Sequence, residues 1–251
     1  MKIIAIGCSF TEGQGLKNQK IECYTHQLAK KLNLDYFNFG MCGTSNDYIF
    51  RKTFQLINDG TITKEDIILI QWTHYNRKEL PFAYDDKMWY HYVPSSMHVY
   101  TDTKIIDYPT ESIVKVEYYD EDLEAQKLYI ESQNKSSLEN YILKFLNEDY
   151  QKNNTINYIN SLYTYLEHFG YNHFHFFGWN GCFIESVIEN KENFIKETFG
   201  GYTNTKTLEH HVYAQHPDKE GHLKWSEFLY EKIIPKVEIK PKKKINDKNL
   251  I

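Results

Sequence analysis

The chain opens Met1-Lys2-Ile3-Ile4-Ala5-Ile6-Gly7-Cys8-Ser9-Phe10-Thr11-Glu12-Gly13, and this stretch decides the fold. Lys2–Ile6 is a short apolar run stopped by a glycine. A run of this length without polar alternation suits a strand buried on both faces, as at the centre of a parallel sheet. It is too short for the hydrophobic region of a signal peptide and is read as a first strand. Working outward, Tyr24, Leu28 and Leu32 recur every four residues and mark an amphipathic helix. Asp35–Phe39 is a second strand, closed by Gly40. Helical spacing returns from Thr44 to about Asn58, with Thr44 or Ser45 able to cap its start. Asp66–Gln71 is the third and most apolar strand. The order β-α-β-α-β predicts an α/β fold with right-handed crossovers and a parallel sheet covered on both faces.

The pattern resumes late. Ile156, Ile159, Leu162, Tyr163, Leu166 and Phe169 form a helical stripe, and His173–Phe177 is a fourth strand ended by Gly178. Leu223, Trp225, Phe228, Leu229 and Ile233 mark a final helix ending near Pro235. Residues 78–152 break the pattern with a Tyr-, Trp- and acid-rich stretch. It is expected to be an insertion, with a strand or hairpin over Ile113–Tyr118 and helical character over Asp122–Lys144. This gives one domain, 1–235, interrupted by that insertion, and a basic, flexible tail over 236–251.

Composition excludes several classes. With 251 residues and 16% aromatics the chain carries too many core-formers to be disordered. No apolar run approaches the roughly 20 residues of a membrane span. The net charge of −5 argues against a nucleic-acid partner. Cys8, Cys23, Cys42 and Cys182 show no CxxC spacing, which fits reduced thiols in a cytoplasmic protein.

Four clusters fall at strand ends. Gly7-Cys8-Ser9 delivers a hydroxyl where strand one turns into a helix, at the edge where open α/β sheets bind ligands. Gly40-Met41-Cys42-Gly43-Thr44-Ser45-Asn46 follows strand two, its glycines allowing close backbone approach. Gln71-Trp72-Thr73-His74-Tyr75-Asn76-Arg77 closes strand three and crowds polar side chains at one strand end. His216-Pro217-Asp218 precedes the last helix, the proline biasing His216 toward an extended backbone. Each has an ordinary structural reading as a cap, turn or core residue.

Taken together, these residues resemble the SGNH hydrolases, also called GDSL-like esterases and lipases. The resemblance covers roughly residues 2–77 and 170–235 and is strongest at Gly7-Cys8-Ser9 and at His216-Pro217 with Gly221-His222 and Trp225. It implies a flavodoxin-like, three-layer α/β/α sandwich. It also implies ester hydrolysis with Ser9 as nucleophile, His216 as base, and an oxyanion hole of Ser9 N–H, Gly43 N–H and a side chain from Asn46, Thr73 or His74. Trp72, Arg77 and Trp179 become candidate substrate contacts. The chain departs from the family pattern at Cys8, where the family has Asp. It has no G-x-N-D after strand three, and Tyr213 stands where the family carries the triad acid. The W-T-x-x-x-R run (Trp72, Thr73, Arg77) is similar to phage and bacterial relatives. Three readings of the missing acid stay open: a Ser-His dyad oriented by a backbone carbonyl, a substitute acid from Glu209 or Asp218, or a fold that has lost the reaction.

Two other chemistries fare worse. His210, His211, His216 and His222 match no standard zinc spacing, so no metal or other cofactor is expected. Strand alternation turns Cys8 away from Ser9 and into the core. By analogy with the family, the expected substrate is an O-acyl, chiefly O-acetyl, ester on a carbohydrate or other small molecule. Trp89, Tyr90, Tyr92, Tyr100, Tyr118 and Tyr119 are possible stacking platforms. The alternative is a silent module that binds a glycan or protein through the insertion.

Overall fold

The computed structural model describes residues 1–82, 85–93, 96–101, 104–109, 148–179, 184–203 and 216–239. Four parallel strands, β1 (Lys2–Gly7), β2 (Asp35–Gly40), β3 (Ile67–Trp72) and β8 (Asn172–Phe177), lie in the order β2-β1-β3-β8. Between them the chain forms α1 (Ser9–Glu12), α2 (Gln19–Glu22), α3 (Tyr24–Leu32), α4 (Asn46–Asn58) and α5 (Glu148–His168). After β8 come α6 (Glu185–Ile188), α7 (Phe199–Thr203) and α8 (Lys219–Ile233).

Side chains of adjacent strand residues point to opposite faces, and this period sorts the core into two layers. Ile3, Ala5, Ile67, Leu69, Phe174 and Phe176 pack with Tyr24 and Leu28 of α3 and Trp225 and Leu229 of α8. Ile4, Ile6, Ile68, Ile70, Trp72 and Phe177 pack with Ile49 of α4 and Ile159, Leu162 and Leu166 of α5. The result is an α/β/α sandwich. The strand order reverses between β1 and β3, a switch point that opens a crevice beyond the carboxyl ends of the strands.

The stretch read as an insertion holds a second sheet. It is an antiparallel meander of β4 (Lys78–Phe82), β5 (Asp85–Val93), β6 (Ser96–Thr101) and β7 (Lys104–Pro109). The meander was not foreseen, because runs such as Met88-Trp89-Tyr90-His91-Tyr92 show no clean alternation. The segments Ile113–Tyr118 and Asp122–Lys144 lie outside the described residues, as does nearly all of the basic tail. No helix among the described residues is long and apolar enough to cross a membrane.

Glycines end β1, β2 and β8 because backbones meet there. A Cβ on Gly40 would stand 2.3 Å from Glu12 N, and one on Gly178 would stand 2.2 Å from Gln71 Nε2. Helix α1 therefore lies directly on the end of β2, and the Gln71 side chain fills the space beside Gly7 and Gly178.

Candidate active site

Ser9 begins α1 at the carboxyl end of β1, so its N–H has no acceptor within the helix. A buried scaffold fixes this turn. Gln71 Oε1 accepts from Thr11 N at 3.0 Å and from Thr11 Oγ1 at 2.6 Å, and Gln71 Nε2 donates to Cys8 Sγ at 3.0 Å. Gln71 is fully buried and anchors the turn from below. The sequence placed Gln71 at the head of the polar cluster after β3 but gave it no role of its own, because both of its partners, Thr11 and Cys8, lie some sixty residues away. Cys8 is buried among Phe10, Tyr24 and Phe199, on the core side as expected.

The decisive contact links the two ends of the chain. His216 Nε2 lies 2.7 Å from Ser9 Oγ, across 207 residues of sequence. Ser9 is 2% exposed and His216 half-buried. The imidazole stands edge-on to two rings, Phe10 at 5.0 Å and Trp179 at 5.6 Å between centroids. Both rings restrict its rotation and keep water from much of its surface.

The β2–α4 turn packs against the end of β1. Met41 N donates to Gly7 O at 3.0 Å, and Thr44 Oγ1 donates to the same carbonyl at 3.3 Å. Within this turn Gly43 adopts φ of +71°, a left-handed conformation that favours glycine. Ser45 caps α4, accepting from Tyr48 N.

The three candidates for a third oxyanion donor separate clearly. Asn46 is 1% exposed, and its amide group is spent: it donates to Thr73 O at 3.0 Å and Thr155 Oγ1 at 3.2 Å, and accepts from Thr73 N at 2.9 Å. The Asn46 expectation is therefore corrected, because this residue ties α4 to β3 and α5. His74 Nδ1 accepts from Asn76 N at 3.4 Å within its own turn. Thr73 Oγ1 is buried with no partner among the described residues, so its hydroxyl is committed to no other described group.

Trp72 needs correction as well. It is fully buried, faces the α5 layer with Ile68 and Ile70, and donates from Nε1 to His175 Nδ1 at 3.0 Å. It belongs to the core and lines no cleft. Trp179 and Arg77 are both half-buried, and the Arg77 guanidinium lies 5.7 Å from the Trp179 ring centroid.

Asp218 caps α8, its Oδ1 accepting from Gly221 N at 2.8 Å. Among the described residues its carboxylate makes no bond to His216. Glu209, Tyr213, His210, His211 and Cys182 lie outside the described residues. His222 is buried. Its Nδ1 accepts from Tyr24 N at 3.1 Å, and burial, with His216 nearby, pushes its pKa down to about 3. It is a neutral core residue.

No family model matches the sequence, and no curated protein matches it. Among solved structures the chain is similar to a protein assigned as lipolytic, of the G-D-S-L family, from Desulfitobacterium hafniense DCB-2. That pair shows 12% identity and a TM-score of 0.44, with 92% of this chain and 98% of the other covered. The likeness is too distant to bear on the site.

Proposed function

We propose that the protein is a serine ester hydrolase acting through an acyl-Ser9 intermediate, on a small O-acyl ester such as an O-acetylated carbohydrate. The observation that carries this reading is the 2.7 Å approach of His216 Nε2 to Ser9 Oγ at the crevice. A serine hydroxyl is a weak nucleophile until a base takes its proton. With the imidazole proton on Nδ1, Ser9 donates its hydroxyl to Nε2. As Oγ attacks the ester carbonyl, that proton passes to His216. The bond to the alcohol then breaks, and the departing oxygen takes the proton. Water, deprotonated in turn by His216, cleaves the acyl-serine and restores the hydroxyl. The developing oxyanion is met by Ser9 N–H, Gly43 N–H and the Thr73 hydroxyl. One such donor is typically worth ~10²–10³ in rate.

Labelling with a fluorophosphonate tests the reading. An adduct on Ser9, absent from Ser9→Ala and weakened in His216→Ala, together with turnover of aryl acetates, is the expected result. Folded protein that takes no label and turns over no ester would overturn it and leave a binding module.

A further inference from the structure

Ester cleavage as described makes no use of Arg77. Its guanidinium lies over the Trp179 ring, 5.7 Å from the centroid, and one Nη1–H reaches the Thr44 carbonyl at 3.4 Å. Trp179 in turn stands edge-on to His216 and lies 4.1 Å from the Phe10 ring centroid. The cation is thus held one ring away from the imidazole. Among the described residues no carboxylate pairs with it. Trp179 Nε1 is buried on the same wall with no partner among the described residues. A half-buried cation with unused N–H groups therefore stands one ring away from the Ser9–His216 pair.

Arginine suits such a position. Its planar fork presents five N–H donors that match carboxylate or phosphate bidentately, and it is weakly hydrated enough to sit half-buried. The indole beneath it and the bond to a backbone carbonyl hold the guanidinium in place and leave its other N–H groups unused. A guanidinium kept only for solubility needs neither constraint.

We infer that Arg77, braced by Trp179, is an oxyanion subsite of the crevice that selects esters whose alcohol part carries a carboxylate or phosphate. This rests on the hydrolase reading of Ser9 and His216.

Three acetyl esters of matched shape test it: 4-acetoxybenzoate, 4-acetoxyphenyl phosphate and the neutral 4-acetoxybenzamide. One charge-assisted contact predicts kcat/KM higher by roughly 10–100-fold for at least one anionic ester than for the amide. The preferred arm tells carboxylate from phosphate. In Arg77→Gln the anionic-to-neutral ratio collapses toward one, and Arg77→Lys retains part of it. A merely structural role would lower all three rates and leave the ratio intact. Hydrolysis of all three esters without an Arg77-dependent preference overturns the inference and leaves the hydrolase reading standing. If no ester is cleaved, the hydrolase reading fails, and binding decides the subsite. Calorimetric titration with 4-hydroxybenzoate, 4-hydroxyphenyl phosphate and 4-hydroxybenzamide must then show tighter binding of an anion, lost in Arg77→Gln. Equal or undetectable binding overturns the inference.

Discussion

Histidines occupy two places on either side of β3, one of them paired with a serine and two of them linked to each other. At the end of β1, His216 meets a hydroxyl at 2.7 Å and stands half-buried at the crevice. On the face of β8 that packs toward α5, His173 and His175 are fully buried in a chain of three bonds. Trp72 Nε1 donates to His175 Nδ1, His175 Nε2 to His173 Nδ1, and His173 Nε2 to Glu167 Oε2, at 3.0, 3.0 and 3.1 Å. An indole N–H can only donate. That fixes the direction of every bond and makes both imidazoles neutral. Burial pushes both pKa values down, against the pull of Glu167 on His173. The chain ends at an indole, so it cannot pass a proton to the crevice. The same side chain thus meets a serine hydroxyl at the crevice, where we propose that it acts as a base, and is a polar brace within the sheet. Position on the sheet decides which.

Substitutions can break that contrast. On the proposed mechanism, His216→Ala should cut kcat/KM for an aryl acetate by about 10⁴–10⁶, with the melting curve little changed. A loss of less than tenfold would deny His216 the role of base. Replacing His175 with Leu should do the reverse. It strands the Trp72 indole N–H and His173 Nδ1, at a cost of roughly 1–3 kcal/mol each, read by urea unfolding, while the rate per folded molecule holds. Unaltered stability would show that the chain braces nothing.

Acid should sharpen the contrast further. The folded pKa of His222 is about 3, against ~6.5 in the unfolded chain. Between those values the unfolded state binds the extra proton. Stability is therefore complete above about pH 6.5 and falls by up to about 1.4 kcal/mol per pH unit as pH drops toward 3. His173 and His175 shift in the same direction and steepen the fall. Urea midpoints at pH 7 and pH 5 would read this, and a flat profile would contradict the neutral, buried state of all three. The smallest effect is expected from Asp218→Ala, which removes a helix cap worth about 1 kcal/mol and leaves turnover nearly intact. A collapse in rate comparable to that of His216→Ala would instead identify Asp218 as the group that orients the imidazole.

Much of the scaffold was legible because its signals are local. The four strands of the parallel sheet stood out as short runs punctuated by Gly7, Gly40 and Gly178, and no observed end differs by more than one residue. Asp66 drops out of β3 because its carboxylate accepts from Lys2 N and Thr63 N ahead of the strand. Helix α5 begins at Glu148, eight residues before the first residue of its predicted stripe at Ile156. Its first turns are largely polar and carry few apolar marks. The pair that meets, Ser9 and His216, was legible as a strand-end and a pre-helix residue. The misreading of Trp72 was avoidable, since it lies two residues beyond Ile70 and shares its buried face. That Asn46 spends its amide on Thr73 and Thr155 could not be read, because Thr155 lies 109 residues away.

The amino-acid sequence determined the class of fold, the two faces of the sheet and the short list of groups able to do chemistry. Periodicity and glycine punctuation act over a few residues and survive without any tertiary context. Only the tertiary structure decided which of those groups meet. The distance between Ser9 and His216 depends on how two layers of helices pack on the sheet. So does the commitment of Asn46 and His222 to the interior, and no local pattern encodes it.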